Sequence, residues 1–392
     1  MSHDAGPAIP PLRARVDGGD EVRDASPVDG QGPDLDSPSP PARAGRANAP
    51  TIYDVAREAG VAPSTVSRTF ARPGRVNADT AARVRAVAEE IGYHANPIAR
   101  ALTTTKSHIV ALMVSDVANP FYSELIRGAQ QAASEEGYLV LLADAQESAE
   151  LERAALERLI PIVDGIVIGS SRMSDSGLRT VAKQIPLVVL NRELTDVPSV
   201  VTDNVAGMRA AVGHLHDLGH TSITYVAGPE ASWADGARWR ALRDAAVALG
   251  VHSHRIGPFP PTFEGGLACG AALLAHLPTA AVCYNDLVAI GVVATLRHAG
   301  VRVPYDVSVV GFDDILTSRL VSPPLTTVAS PMRYMGGTAV RNLLALSRGA
   351  HATSGRAFVM PVKLRVRGST GQRRRKRTSP ALGTTSVSGS AS

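Results

Sequence analysis

The polar residues of this chain that could do chemistry fall into two groups. In the first, each member follows a short apolar run. Ser115 and Asp116 follow Ile109–Val114, Asn191 and Arg192 follow Leu187–Leu190, Asn285 follows Ala280–Tyr284, and Asp313 and Asp314 follow Val307–Phe312. Phe121 and Phe263 are candidate stacking faces. Carboxylate, amide and hydroxyl groups beside aromatic rings suit a ligand with polar edges and weakly apolar faces, such as a sugar. The competing reading is structural, because Asp and Asn after strands also cap the next helix, and Asn285 and Asp286 could do only that. The second group lies in TIYDVAREAGVAPSTVSRTF at 51–70. Ser64, Thr65, Ser67 and Arg68 share one face there, and hydroxyls with a guanidinium suit base edges and phosphates in a major groove. A helical hairpin with a polar face would look the same.

Other reactive constellations are missing from the sequence. No Gly-rich phosphate loop follows a strand and no G-x-S-x-G elbow occurs, so an enzyme on a nucleotide-binding scaffold is disfavoured. His214, His216 and His220 invite a metal reading, but 214 and 216 fall on different helix faces and Gly219 ends the helix before His220. They read as surface or capping residues. No catalytic residue, metal ligand or cofactor is expected. The two cysteines, Cys269 and Cys283, are too few for a disulfide framework and point to the cytosol. No export signal core and no apolar run of membrane-spanning length is read, so a cytoplasmic protein is expected.

These residues need elements to hold them. In 51–70, Thr51 caps a first helix, with Asp54 three residues on. Val55, Ala56 and Ala59 form its apolar stripe and Gly60 supplies a tight turn. Pro63 opens a second helix, from which Val66 and Phe70 return to the core. Asn77 caps a third helix whose apolar face is Ala82, Val84, Val87, Ala88 and Ile91. From His108 to about Val366 apolar runs alternate with stretches of helical length such as Tyr122–Glu136, Glu150–Leu159 and Val205–Leu218. That alternation implies parallel sheet covered by helices. The units are too many for one small sheet, which leaves two doubly wound subdomains or a barrel.

Charge divides the chain in the same way. Residues 1–50 hold five arginines against eight acidic residues, and 51–106 hold eight basic against five acidic. Residues 107–367 are nearly balanced, while 368–392 hold five basic residues and no acidic one. A basic compact segment beside a neutral large one suits a nucleic-acid contact, though a solvated basic surface would carry the same charge. Residues 1–50 and 369–392 are poor in large apolar side chains and read as disordered tails. The run Arg373-Arg374-Arg375-Lys376-Arg377 is either a phosphate-grazing arm or simply solvated.

One further stretch makes a resemblance specific. Gly92-Tyr93-His94-Ala95-Asn96-Pro97-Ile98-Ala99-Arg100-Ala101-Leu102 follows the DVA-x-x-AGV-x-x-STVSR run at a set spacing. Together these resemble the lactose-repressor/galactose-repressor (LacI-GalR) family. The likeness continues through Asp116-Val-Ala-Asn-Pro-Phe-Tyr122, Val163-Asp-Gly-Ile166, Gly219-His220, Ala227-Gly-Pro229, Asn285-Asp286, Val309-Val-Gly-Phe-Asp-Asp314 and Pro323-Pro-Leu-Thr-Thr-Val328. It spans almost all of residues 51–369.

The resemblance implies an α/β fold: an N-terminal helix-turn-helix DNA-binding domain (51–93), a hinge helix and linker (94–106), and a periplasmic-binding-protein-like core (107–368). Within that core it implies two Rossmann-like subdomains, 107–202 with 332–358 and 203–331 with 359–368, rather than a barrel. It also implies a homodimer, a pseudo-palindromic double-stranded operator, and a small-molecule effector of the sugar class. Thr51, Tyr53, Pro63, Ser64, Thr65, Ser67, Arg68, Asn77, Asn96, Ala99 and Leu102 would meet DNA, with Leu102 as an apolar minor-groove wedge. Ser115, Phe121, Asn191, Arg192, Phe263, Asn285 and Asp313 would meet effector. Two departures stand out. Ala62 replaces a common serine, and Gly236 falls where relatives carry an effector-gripping arginine, with Arg238 and Arg240 read as out of register. Rival expectations are a periplasmic-type solute-binding protein and a regulator that needs no effector.

Overall fold

The computed structural model of the chain describes residues 50–71, 74–93, 106–350 and 357–373. The expected tail at 1–49, the hinge at 94–105 with Asn96, Ala99 and Leu102, and residues 374–392 lie outside them.

The N-terminal head is three helices, α1 (Ile52–Ala59), α2 (Pro63–Ala71) and α3 (Ala78–Glu90). The Asp54 carboxylate accepts from the Thr51 N–H at 2.9 Å and from its hydroxyl at 2.7 Å, which fixes the start of α1. Gly60 ends it in the left-handed region, φ 65° and ψ 38°, where only a residue without Cβ sits freely. Asn77 caps α3 by accepting from the Asp79 N–H at 2.9 Å. Val55, Ala56, Ala59, Val66, Val84 and Ala88 meet in one small core, with Ile52, Val61, Phe70, Val87, Ile91 and Tyr93 around it. Ala82, expected on the buried face of α3, is exposed, and Ala81 is buried instead. A stripe at 81, 84, 88 and 91 keeps the helical period, whereas 82 falls a step out of phase.

The core alternates strand and helix as the apolar runs require. Its first lobe contains β1 (Ile109–Val114), α4 (Phe121–Glu135), β2 (Leu139–Asp144), α5 (Ala149–Leu159), β3 (Ile166–Gly169), α6 (Asp175–Ala182), β4 (Leu187–Leu190) and β5 (Ser199–Thr202). The second lobe contains α7 (Asn204–Asp217), β6 (Ser222–Val226), α8 (Trp233–Ala248), β7 (His252–Ile256), α9 (Phe263–Ala275), β8 (Ala280–Cys283), α10 (Asp286–His298), β9 (Ser308–Asp313), α11 (Thr317–Leu320) and β10 (Thr326–Ala329). The chain then returns to the first lobe for α12 (Met332–Ser347) and β11 (Phe358–Met360). It ends in the second lobe with β12 (Lys363–Arg365).

Each lobe has a six-stranded sheet, ordered β11-β5-β4-β3-β1-β2 and β12-β10-β9-β8-β6-β7. All neighbours pair in parallel except β10 with β12. The inner strands β1, β3, β4 and β8 are apolar because both faces are covered. In β1, Val110, Leu112 and Val114 enter one core cluster while Ala111 and Met113 enter the other. Gly128 on α4 and Gly336 on α12 let those helices touch backbone to backbone. A Cβ on Gly128 would lie 1.9 Å from the Arg333 carbonyl oxygen, and one on Gly336 would lie 2.0 Å from that of Leu125.

Two boundaries and one residue differ from the sequence reading. Residues 358–360 belong to the first sheet, so that lobe runs past 358. The packed chain also continues beyond Gly368. Ser369 is fully buried, its carbonyl accepting from the Val309 N–H and its hydroxyl from the Thr326 N–H, both at 2.8 Å. His220, read as a surface or capping residue, is buried and pins this segment. Its ring nitrogens lie 3.1 Å from the Thr279 and Ser308 hydroxyls and 3.2 Å from the Gly371 carbonyl. Burial lowers its pKa, so the neutral ring holds the strap.

Candidate ligand cleft and nucleic-acid face

The carboxyl ends of both sheets' strands converge on the cleft between the lobes, the place where open parallel sheets bind ligands. Their backbone leaves the strands under strain. Ser170 (φ 53°), Asn191 (φ 55°) and Asp313 (φ 114°) all occupy the left-handed half of conformational space, as do Gln146 (φ 48°) and Glu147 (φ 59°) after β2. Such strain persists where the surroundings fix it, and it clusters at functional sites. Here it turns these side chains into the cleft rather than along the sheet.

The inner part of the cleft, about 30 Å³, is lined from the first lobe by Ser115, Asn119, Phe121, Tyr122, Glu147, Ser170, Arg172 and Asn191. Ala234, Arg238, Pro261, Tyr284, Asn285 and Asp313 line it from the second. A buried network orders the first-lobe wall. The Ser115 hydroxyl donates to Glu147 at 2.7 Å and lies 2.8 Å from the Tyr122 hydroxyl. The Arg172 Nε donates to Glu147 at 2.7 Å and its Nη1 to the Ser170 carbonyl at 3.0 Å. Burial pushes the Tyr122 phenol up to about 12, so it remains a neutral donor.

Arg238 dominates the opposite wall. It is 3% exposed, and its guanidinium lies 3.6 Å from the Phe312 ring centroid and 5.1 Å from that of Tyr284. It donates to the Asn204 Oδ1 at 3.1 Å and to the Tyr284 carbonyl at 2.5 Å. Its Nη2 is 3.7 Å from the Asp313 Oδ1, near enough for charge attraction but beyond hydrogen-bond reach. This corrects the reading of Gly236. On α8 the cleft-facing positions are Ala234 and Arg238, one helical turn apart, so the guanidinium at 238 fills the site while Gly236 lies off it.

Two buried acceptors in the cleft have no hydrogen-bond partner, the Asn191 Oδ1 and the Asp313 Oδ1. Leaving such groups unpaired costs about 1–3 kcal/mol each, a cost that a ligand hydroxyl would remove. Burial raises the Asp313 carboxyl to about 7, against the opposing pull of Arg238. Neighbouring Asp286 is likewise raised by burial and is held by the Thr327 hydroxyl at 2.5 Å and the Ile315 N–H at 2.9 Å.

Ser115, Phe121, Asn191, Asn285 and Asp313 thus line one cavity, whereas Arg192 and Phe263 do not. Asn285 also caps α10, accepting from the Val288 N–H at 2.9 Å, so the capping and lining roles coexist. Arg192 turns to the Met173 carbonyl at 2.5 Å and to Asp175 at 3.3 Å. From there its Nη2 reaches across to the Ala231 carbonyl of the second lobe at 3.1 Å. Phe263 opens α9 at the surface, 36% exposed, because its backbone is held against Gly291 on α10. Tyr122, Glu147, Ser170, Arg172 and Tyr284 went unnoticed in the sequence. Glu147 and Ser170 follow strands and could have been found by the rule that found Ser115. Tyr284 was hidden inside an apolar run.

On the head, Tyr53, Pro63, Ser64 and Arg68 are exposed, Tyr53 at 69%, and Thr65 and Ser67 are half-buried on the same helix. Thr51 and Asn77 are exposed at the starts of α1 and α3. Val66 and Thr69 are buried, so α2 stands on the head with its polar face outward. Ala62 is exposed beside it. Among the described residues no group of three or more His, Cys, Asp or Glu could hold a metal ion, and both cysteines are buried and free.

A helix-turn-helix head joined to a two-lobed core with a polar interlobe cleft defines the class of ligand-responsive DNA-binding regulators. Residues 51–96 match the family model described as bacterial regulatory proteins, lacI family, and residues 212–370 match the periplasmic binding protein-like domain. The chain is similar to the HTH-type transcriptional repressor CytR of Escherichia coli (strain K12), with 33% identity over 332 residues, covering 82% of this chain and 96% of that protein. It is similar in structure to the lac repressor dimer bound to operator and the anti-inducer ONPF, with a TM-score of 0.74, 28% identity, and coverage of 83% of this chain and 100% of that one. A complex of the transcriptional regulator CelR with cellobiose gives a TM-score of 0.61, 31% identity, and coverage of 82% and 99%. The chain belongs to the lacI family of bacterial regulatory proteins.

Proposed function

We propose that this protein is a cytoplasmic, homodimeric transcriptional repressor of carbohydrate-uptake or catabolism genes, whose affinity for a pseudo-palindromic operator is set by a sugar-class effector in the cleft. The observation that carries this reading is the union, in one chain, of a lacI-type head and a cleft with two unpartnered buried acceptors. Ser64, Thr65, Ser67 and Arg68 meet base edges and phosphates, with Thr51, Tyr53, Pro63 and Asn77 around them. Asn96, Ala99 and Leu102 continue the contact through the hinge. Ser115, Phe121, Asn191, Asn285 and Asp313, joined by Arg172 and Arg238, hold the effector, and Arg192 ties the lobes at the rim.

The protein carries out no reaction in this reading: its cleft groups hydrogen-bond a ligand, and the proteins it resembles are transcriptional regulators. No helix among the described residues is long and apolar enough to cross a membrane. The lacI-type head disfavours a solute-binding protein. A regulator without an effector is disfavoured by the strained, unsatisfied cleft. The test is selection of fragmented DNA from the source organism by the purified full chain at moderate salt. A short palindrome among the bound fragments supports the reading. Salt-sensitive binding without any shared sequence overturns it.

A further inference from the structure

The inner cleft, at about 30 Å³, takes a water or two and no ligand ring. Against it lies a second, wider chamber of about 680 Å³, within the range of small-molecule sites. Glu147 and Pro261 line both, so the two spaces adjoin. Two kinds of wall meet in the outer chamber. Pro258, Phe259, Pro260 and Pro261 form an apolar shelf, whereas Asp116, Glu147 and Glu230 are acidic, and no basic side chain lines it. Among the described residues, of these three carboxylates Glu147 alone has a cation, the Arg172 guanidinium. In the inner cleft the Asn191 Oδ1 and Asp313 Oδ1 lack donors, each on a residue more than nine-tenths buried.

From this geometry we infer that the effector is an uncharged glycoside of two units. Hydroxyls of its leading ring reach the two orphan acceptors from the wide chamber, and its second ring or aglycone rests on the Phe259–proline shelf. Anionic sugars are rejected. Arg172 and Arg238 also line the inner cleft, but Arg172 is committed to Glu147 and Arg238 to Asn204 and the Tyr284 carbonyl, so the orphan acceptors set what the inner end takes, which is hydroxyl donors. In the outer chamber a phosphate or uronate would face Asp116 and Glu230 with no cation between, and like charges at short range cost affinity. A single sugar ring would leave the shelf bare. The inference rests on the effector-controlled reading above.

The test is calorimetric titration of the purified full chain with a fixed panel: neutral disaccharides and phenyl glycosides of glucose, galactose, mannose and xylose, the parent monosaccharides, and the corresponding 6-phosphates and uronates. At least one disaccharide or phenyl glycoside should bind, about tenfold tighter than its parent monosaccharide, because one aromatic contact is worth that much. The anionic sugars should not bind. Phe259→Ala should erase the preference for two units, and Glu230→Gln with Asp116→Asn should admit the 6-phosphates. A 6-phosphate or uronate bound in preference to the neutral sugars, a monosaccharide bound as tightly as its glycoside, or silence from the whole panel would overturn the inference. Palindrome selection on the same preparation separates the two failures. A selected palindrome with a silent panel sinks the glycoside alone, and a bound glycoside without a palindrome sinks the regulator reading.

Discussion

Arg238 and Asp313 decide the character of the cleft. Burial raises the Asp313 carboxyl to about 7, and Arg238, held chiefly by aromatic faces and by oxygens of Asn204 and Tyr284, offsets this only in part. Arg238→Met would leave the ionised Asp313 buried without its cation. A loss of about 3–5 kcal/mol in unfolding free energy is expected by denaturant titration above pH 7, shrinking as Asp313 takes up a proton. Asp313 itself ionises near 3.8 when free and near 7 when buried. Between those values the folded state holds a proton that the unfolded chain has released. Its contribution to stability is therefore fully present below the lower value and is lost as pH rises through the upper one. Asp313→Asn should gain stability relative to the parent as pH rises from about 4 to about 7, and the difference should level off above that. Identical pH slopes in the two proteins would contradict this. Ser115, Asn191 and Asn285 were legible in the sequence because each follows a strand, and Asp313 because it ends one. Arg192 and Phe263 were legible only as positions, since where a side chain points depends on contacts a single chain does not spell out. Arg238 faces the cleft because helix phase sets it one turn from Ala234, which the spacing from Gly236 did not reveal.

At the scale of elements, strongly patterned segments declared themselves and weakly patterned ones did not. The capping at Thr51 and Asn77, the Gly60 turn and the buried strands β1, β3, β4 and β8 follow from local chemistry. The polar edge strand β7, His-Ser-His-Arg-Ile, carries no apolar run because much of it faces solvent. The three-residue strands β11 and β12 are too short to show a period. The head rests on one conformation that no other residue type adopts as easily. Gly60→Ala leaves room for its Cβ but must hold φ near 65°, at a cost of about 1–2 kcal/mol. Thermal melting of the full chain should show the head unfolding earlier while the core transition stays put. Operator affinity should fall, and glycoside binding should not. An unchanged operator affinity would contradict the claim that α1 and α2 are presented as a fixed pair.

Across the whole molecule, the chain passes between lobes three times, after β5, after β10 and after β11. Ile315, with Leu287 and Ile290 of α10, packs into the apolar core of the first lobe. Arg192 ties the rims on the far side through Ala231. Lobes joined in this way close and open as bodies, and a ligand that binds one arrangement better shifts the population toward it. The number of strand–helix units left two lobes or a barrel open, the family resemblance implied two lobes, and the position of the lobes about the cleft was legible in neither.

The central claim is that cleft and head are coupled, and coupling is reciprocal by thermodynamic necessity. The most direct measurement is therefore the affinity of the full chain for its selected palindrome with and without saturating glycoside, set beside its affinity for that glycoside with and without palindrome. The account predicts that both change by the same factor, about 5–150-fold. Two affinities that ignore each other would contradict it.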